Sequence, residues 1–447
     1  MMEVEIMNEL KKEIGVFGGI SILAGIMIGS GIFALGGVIL YRVGFSLGLS
    51  LLVWMIGGII TLFSGLTYAE LGTMFPETGG YYIYLKKAYG KRIAFLSGLM
   101  NFVLMSSGSI AILALLFGNV LSYVVDVSSY VKWIAAGLII LTSLINYFGV
   151  KAGSIVQKFF LVAKLLPIFA IIGVGLFVGG QTVNLSLSTV EPVSFFRLLT
   201  MIGFGVVGTL FAYEGWTNLN TVAGEMKNVK KDLPKAITFS ILLVTVIYVL
   251  FIFSIYRIID YPTLSAIANT ENYFPMVAFY SLYGTQGLNF IFIAVLISIF
   301  GALNGSVMVF PRVYYAMAHD GLFFKPFKSL STKYQTPGIS ILGSMLMALV
   351  LILFDVETLL TFVVFGALLF NALIFFSVFL FRKRLPNQER PYKVFGYPYV
   401  PVIAMLGMVA LMVASFIEEP LHSGIGLIVL VIGYFLFDLF IKKNKAN

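Results

Sequence analysis

Residues 26–37, IMIGSGIFALGG, decide how the whole chain is read. They sit inside a long apolar segment, yet Gly29, Ser30 and Gly31 form a run that works against a helix. Glycine costs about 1 kcal/mol per helical position relative to alanine, and serine competes for backbone hydrogen bonds. A helix interrupted at membrane depth frees backbone N–H and C=O groups, which is tolerable only where the backbone lines a cavity or is buried in protein. The break therefore predicts a site.

The membrane setting follows from composition. Of 447 residues, 60% are hydrophobic and 11% charged, with a mean hydropathy of +1.00, far from a soluble protein's balance. A crossing takes roughly 20 apolar residues, and twelve segments qualify: 14–42, 46–70, 93–123, 131–149, 154–179, 195–225, 236–258, 284–316, 338–355, 357–381, 399–417 and 423–441. The expectation is an all-α polytopic membrane protein with 12 transmembrane helices and a single membrane domain over 1–447, embedded in the lipid bilayer. Residues 1–13 mix acid and base, unlike a cleaved leader. Of the 29 basic residues, only Arg42, Lys132, Arg197 and Arg257 fall on one side, Lys164 lies within a span, and the rest fall on the other side with both termini. That asymmetry predicts cytoplasmic N- and C-termini in a cell membrane. It also accounts for the net charge of +9 without nucleic acid.

With no cysteine, neither disulfides nor thiolate metal sites can form, and two histidines, His319 and His422, do not suggest a haem or zinc site. No cofactor is expected. There is no HExxH pair, G-x-S-x-G elbow or nucleotide loop, so an enzyme is not expected either. The polar segment 70–90, ELGTMFPETGGYYIYLKKAYG, reads either as an interfacial or re-entrant element or as a structured loop.

A second interrupted segment lies five spans after the first. Span 6 runs GFGVVGTLFAYEGWTNLN, with Gly203, Gly205 and Gly208 before Ala212, Tyr213, Glu214 and Gly215. An odd offset inverts one half relative to the other: 14–179 forms the first repeat, 195–381 the second, and 399–441 two additional helices. Matching broken helices in two halves are the best sequence-level pointer to a secondary transporter's substrate site. Half-helix starts present N–H groups and a positive dipole to a carboxylate, and half-helix ends present carbonyls to an ammonium. A zwitterion fits between them. Scattered glycines such as Gly57 and Gly58 read as helix packing.

Charges inside spans are few and expensive. Lys164, in KFFLVAKLLPIF, is too deep to snorkel and reads as a substitute for a coupling sodium, as a proton carrier, or as a structural partner. Glu214, in the second break, faces a water-filled vestibule or recognises a polar or cationic side chain. Arg312, Glu70 and Glu225, at the basic ends of spans, read as ties between inner-gate loops. Tyr248 and Ser298 are polar residues in spans 7 and 8.

These residues carry a resemblance to the L-amino acid transporter (LAT) family of the amino acid–polyamine–organocation superfamily. It extends from about residue 10 to 393 through LKKEIGVFGGISILAGIMIGSGIF, YAELGTMFPETGGYYIYLKKAYG, NYFGVKAGSIVQKFFLVAKLLPI, LFAYEGWTNLNTVAGEMKNVKKDLPKAI and FGALNGSVMVFPRVYYAMAHDG. The resemblance implies a five-plus-five inverted repeat with broken helices 1 and 6, plus two helices. It implies sodium-independent exchange of small neutral L-amino acids such as alanine, serine, cysteine and threonine by alternating access, with proton-coupled uptake as the alternative. Substrate contacts are implied at Ile28, Gly29, Ser30, Gly31 and Ile32, with Phe211 as cover and Ala212, Tyr213 and Gly215 opposite. Lys164 is implied to link the span 1 backbone near Gly29 with Ser298, and Tyr248 to join that network. Glu214 stands where the family usually has Asp or a small residue, and Val229 where it usually has proline. Animal relatives bind a heavy subunit through a cysteine, and this chain has none for a disulfide-linked heavy subunit.

Overall fold

The first apolar segment is split where its sequence weakens it. Val16–Met27 forms helix 1a and Gly31–Arg42 forms helix 1b, bent by 50°. The structure is a computed structural model that describes residues 12–29, 31–268, 273–418 and 420–446. Ser30 lies outside the described residues. Those residues are helical apart from loops and one isolated parallel bridge between Ile14 and Met226.

Span 2 is Leu47–Met74, opened by Ser46, whose hydroxyl accepts from the Leu49 N–H at 3.3 Å as an N-cap does. Span 3 runs Lys91–Ser122 with a π-helical turn at Asn101–Met105. Span 4 is Val131–Tyr147, span 5 Val150–Phe177, helix 6a Phe195–Ala212 and the short helix 6b Asn218–Thr221. Span 7 is Val229–Ile258, and span 8 is Phe274–Val309, continued by Pro311–His319. Spans 9 to 12 are Gly338–Leu351, Val356–Arg384, Tyr399–Glu418 and Pro420–Ala446. Among the described residues, eight stretches are long and apolar enough to cross a membrane, and the bent pair makes a ninth. Three shorter apolar helices, Gly338–Leu351, Tyr399–Val413 and Gly426–Asp438, complete the twelve.

Two boundaries differ from expectation. Span 7 starts at Val229 rather than 236 because its first turns, though helical, carry lysines that depress hydropathy; hydropathy marks where a helix is apolar, not where it starts. Helix also begins at Phe274, ahead of the expected span 8, and Gly284 at φ +60° breaks it where the apolar span was expected to begin. The segment 70–90 contains a helix, Tyr81–Tyr89, that buries Tyr82, Ile83, Tyr84, Leu85 and Ala88 against spans 3 and 10. One face of it is packed against protein.

Spans five positions apart pack on one another: 1b on 6a, 2 on 7, 3 on 8 and 4 on 9. The cross-packings pair in the same way, since 1a on 7 mirrors 6a on 2, and 5 on 8 mirrors 10 on 3. Such packing is what a pseudo-twofold between two inverted five-span halves produces. Span 11 adds to spans 10 and 2, and span 12 to span 10 and the start of span 3. The close approach of span 7 to span 2 needs glycine, because a Cβ at Gly58 would collide with Thr245, and one at Gly65 with Ile241 and Ile237. Small residues at such crossings let backbones meet.

Candidate functional site

The two breaks meet. A Cβ on Gly31 would lie 3.0 Å from Ala212 Cα. One on Gly215, which sits at φ +114°, would lie 2.9 Å from Ile26 Cγ2 and 3.3 Å from the Met27 nitrogen. Only glycine adopts that conformation without strain and admits that contact.

At the end of helix 1a the backbone partners can be followed residue by residue. In a continuous helix the Gly29 N–H would donate to the Gly25 carbonyl; here it donates to Met27 O at 2.8 Å, so the Gly25 carbonyl is released. Lys164 Nζ takes it at 2.8 Å, takes Ile28 O at 2.6 Å, and donates its third proton to Ser298 O at 3.1 Å. The Ser298 hydroxyl lies 2.9 Å from Ile28 O and 3.1 Å from Gly29 O, as donor. The Tyr248 hydroxyl donates to Met27 O at 2.8 Å and lies 3.2 Å from Ala212 O, so one side chain touches the carbonyl ends of both breaks. Lys164, Tyr248 and Ser298 are each fully buried. A helix C-terminus carries partial negative charge, and an ammonium there with every donor satisfied is how a buried charge becomes tolerable.

Most of the other expected residues are buried. Ile28 and Ile32 are fully buried, Gly29 and Gly215 are buried, and Ala212 and Tyr213 are 4% and 0% exposed. The Tyr213 hydroxyl donates to the Trp54 carbonyl at 3.0 Å, which fixes the break of span 6 to span 2. Phe211 stands apart at 39% exposed, and Glu214 is exposed too. Replacing Tyr248 with phenylalanine removes the hydroxyl that Met27 O and Ala212 O share and should cost about 1–3 kcal/mol. Thermal unfolding of the purified variant measures that loss, and an unchanged midpoint would remove Tyr248 from the network.

Sequence reading missed a buried amide chain beside this network. Asn146 Nδ2 donates to Asn304 Oδ1 at 3.0 Å and Asn304 Nδ2 to Gln157 Oε1 at 3.0 Å, joining spans 4, 8 and 5. Gln157 lies two helical turns before Lys164 and against Gly25, where a Cβ would collide with its amide. Its place on the Lys164 face of span 5 was the available signal.

Ion pairs and hydrogen bonds tie the elements of the basic side to one another. Arg312 Nε donates to Glu225 Oε1 at 2.8 Å, with the two side chains 1% and 0% exposed. Glu70 accepts from Arg382 at 2.7 and 3.0 Å and from the Val394 N–H at 2.7 Å. Asp320 accepts from Lys86 at 2.6 Å and from Tyr82 at 2.8 Å, and Thr221 O accepts from Gly79 N at 3.0 Å. These bonds give Arg312, Glu70 and Glu225 the tying geometry that the sequence predicts. Among the described residues, no group of three or more His, Cys, Asp or Glu side chains is placed to hold a metal ion.

Broken helices crossing at midspan within paired halves define a secondary-transporter fold. The chain matches the amino acid permease family over residues 14–437. It is 34% identical over 444 residues to the serine/threonine exchanger SteT of Bacillus subtilis, covering 98% of this chain and 99% of that one. It is 31% identical over 443 residues to the human b(0,+)-type amino acid transporter 1, covering 96% and 88%, and 29% identical over 458 residues to the human cystine/glutamate transporter, covering 98% and 87%. The chain belongs to the amino acid permease family, in its L-amino acid transporter branch: it is a multi-pass membrane transporter of amino acids and not an enzyme.

Proposed function

We propose that the protein is a sodium-independent exchanger of small neutral L-amino acids, such as alanine, serine, cysteine and threonine, working by alternating access in the plasma membrane with both termini in the cytoplasm. The observation that carries the reading is Lys164: its ammonium occupies the carbonyl ends freed by the span 1 break, where a bound cation would otherwise sit. A resident positive charge at that place supports transport without sodium. The halves 14–179 and 195–381 form the two repeats, and 399–441 the added helices.

In this reading the substrate carboxylate rests on Ser30 and Gly31 at the start of helix 1b, because the first N–H groups of any helix lack an intrahelical acceptor and the dipole there favours an anion. Its ammonium faces the carbonyls at the end of helix 1a and around Ala212, Tyr213 and Gly215. Ile28, Gly29 and Ile32 complete the backbone side, and the close approach of Gly31 to Ala212 brings the two breaks together around the substrate. Phe211, now 39% exposed, swings over it on closure. Without cysteine the chain forms no disulfide to a heavy subunit, and it works without one.

A competition panel of the twenty amino acids against labelled alanine in proteoliposomes tests the substrate class. Alanine, serine, cysteine and threonine are expected to compete, and competition restricted to cationic amino acids would instead assign Glu214 to side-chain recognition. Phe211→Ala removes apolar contact of about 1–2 kcal/mol and should raise the KM for alanine about tenfold. An unaltered KM would displace Phe211 from the pocket.

A further inference from the structure

A groove of about 570 Å³ opens at the basic end of span 7, lined by Lys230, Lys231, Lys235, Phe239, Pro391 and Tyr392 among others. The three lysines stand at the start of a helix, where the dipole is already positive, so their placement does not serve the helix itself. It serves an anion. The acidic groups nearby are Asp232 in the first turn and Glu389, which bonds Lys230 at 2.8 Å with both side chains more than half exposed. Lys231 and Lys235 are exposed, and the groove keeps a positive balance.

What continues from the groove points to the kind of anion. Phe239, one of its walls, begins a row of exposed apolar side chains, Leu242, Leu243, Val246 and Leu250, at helical spacing along one face of span 7. Such a row in a membrane helix faces acyl chains. A cationic cradle at the interface, continuous with a lipid-facing stripe, fits one molecule that is anionic at one end and apolar along its length.

We propose that this groove holds the headgroup phosphate of an anionic phospholipid, its acyl chain lying along Phe239 to Leu250. The bound lipid acts on transport through its other wall. Pro391 and Tyr392 directly follow Arg390, which lies 3.6 Å from the Glu70 carboxylate, and Val394 in the same segment donates to Glu70. A headgroup bridging span 7 and this segment therefore braces the tie on span 2.

Native mass spectrometry of the purified full chain with added phosphatidylglycerol or phosphatidylcholine tests the proposal. The protein should retain phosphatidylglycerol in preference, and the variant Lys230→Gln, Lys231→Gln, Lys235→Gln should lose about tenfold or more of that retention with phosphatidylcholine unchanged. The corresponding lysine-to-arginine variant should keep it. Lys235→Glu alone, which changes one exposed side chain, provides the same reading should the triple variant not be isolated. Equal retention of phosphatidylglycerol by the protein and its glutamine variant, or equal retention of both lipids, overturns the proposal. So does full displacement of phosphatidylglycerol by millimolar inorganic phosphate, which would assign the groove to soluble anions.

Discussion

Replacing Lys164 with alanine is expected to slow exchange about 100-fold while changing substrate affinity only a few-fold. The lysine makes three bonds, to Gly25 O, Ile28 O and Ser298 O, and each hydrogen bond to a buried charge contributes roughly 1.5–3 kcal/mol. The bonds to Gly25 and Ile28 hold helix 1a against spans 5 and 8, so their loss is felt when helix 1a must move as a unit. A deficit of about 3 kcal/mol in that crossing step corresponds to about a hundredfold in rate. In the proposed site the substrate rests on the start of helix 1b and on backbone around both breaks, and Lys164 makes no contact with it directly, which is why affinity changes only a few-fold. Substrate-induced thermal shift measures binding and counterflow measures turnover. An unchanged turnover would remove the role given to Lys164, and equal losses in both would make it a binding residue.

Arg312→Ala carries the largest expected effect on stability. It leaves the Glu225 carboxylate buried with its guanidinium partner gone, and breaking a buried pair from one side costs about 3–5 kcal/mol. Replacing both partners, Arg312→Met with Glu225→Leu, removes the stranded charge and should recover most of that loss. Thermal unfolding in detergent separates the two. A double variant as unstable as Arg312→Ala would mean that the side chains act by shape rather than charge.

The sequence carried the breaks most clearly, because glycine runs in apolar segments are read directly from helix energetics. Their partnership was legible through the five-span offset, and Lys164 through its depth. What could not be read was which carbonyl each donor takes. That Lys164 reaches Gly25 depends on the Gly29 N–H turning back to Met27, a detail of one turn rather than of composition. The Asn146–Asn304–Gln157 chain joins three spans distant in sequence, and single polar residues in apolar segments give no sign of their partners. Helix starts at Val229 and Phe274 escaped for the opposite reason, since their first turns are polar or separated by a glycine.

The claim at the centre is that substrate on one side exchanges for substrate on the other, with the lysine standing in for a coupling cation. Initial uptake of labelled alanine in sodium-free buffer, into proteoliposomes preloaded with unlabelled alanine or left empty, with and without an imposed pH gradient, measures it directly. Rapid uptake is expected only into preloaded vesicles, indifferent to sodium and to the gradient. Uptake into empty vesicles that follows the pH gradient and ignores internal alanine would contradict it and establish proton-coupled transport.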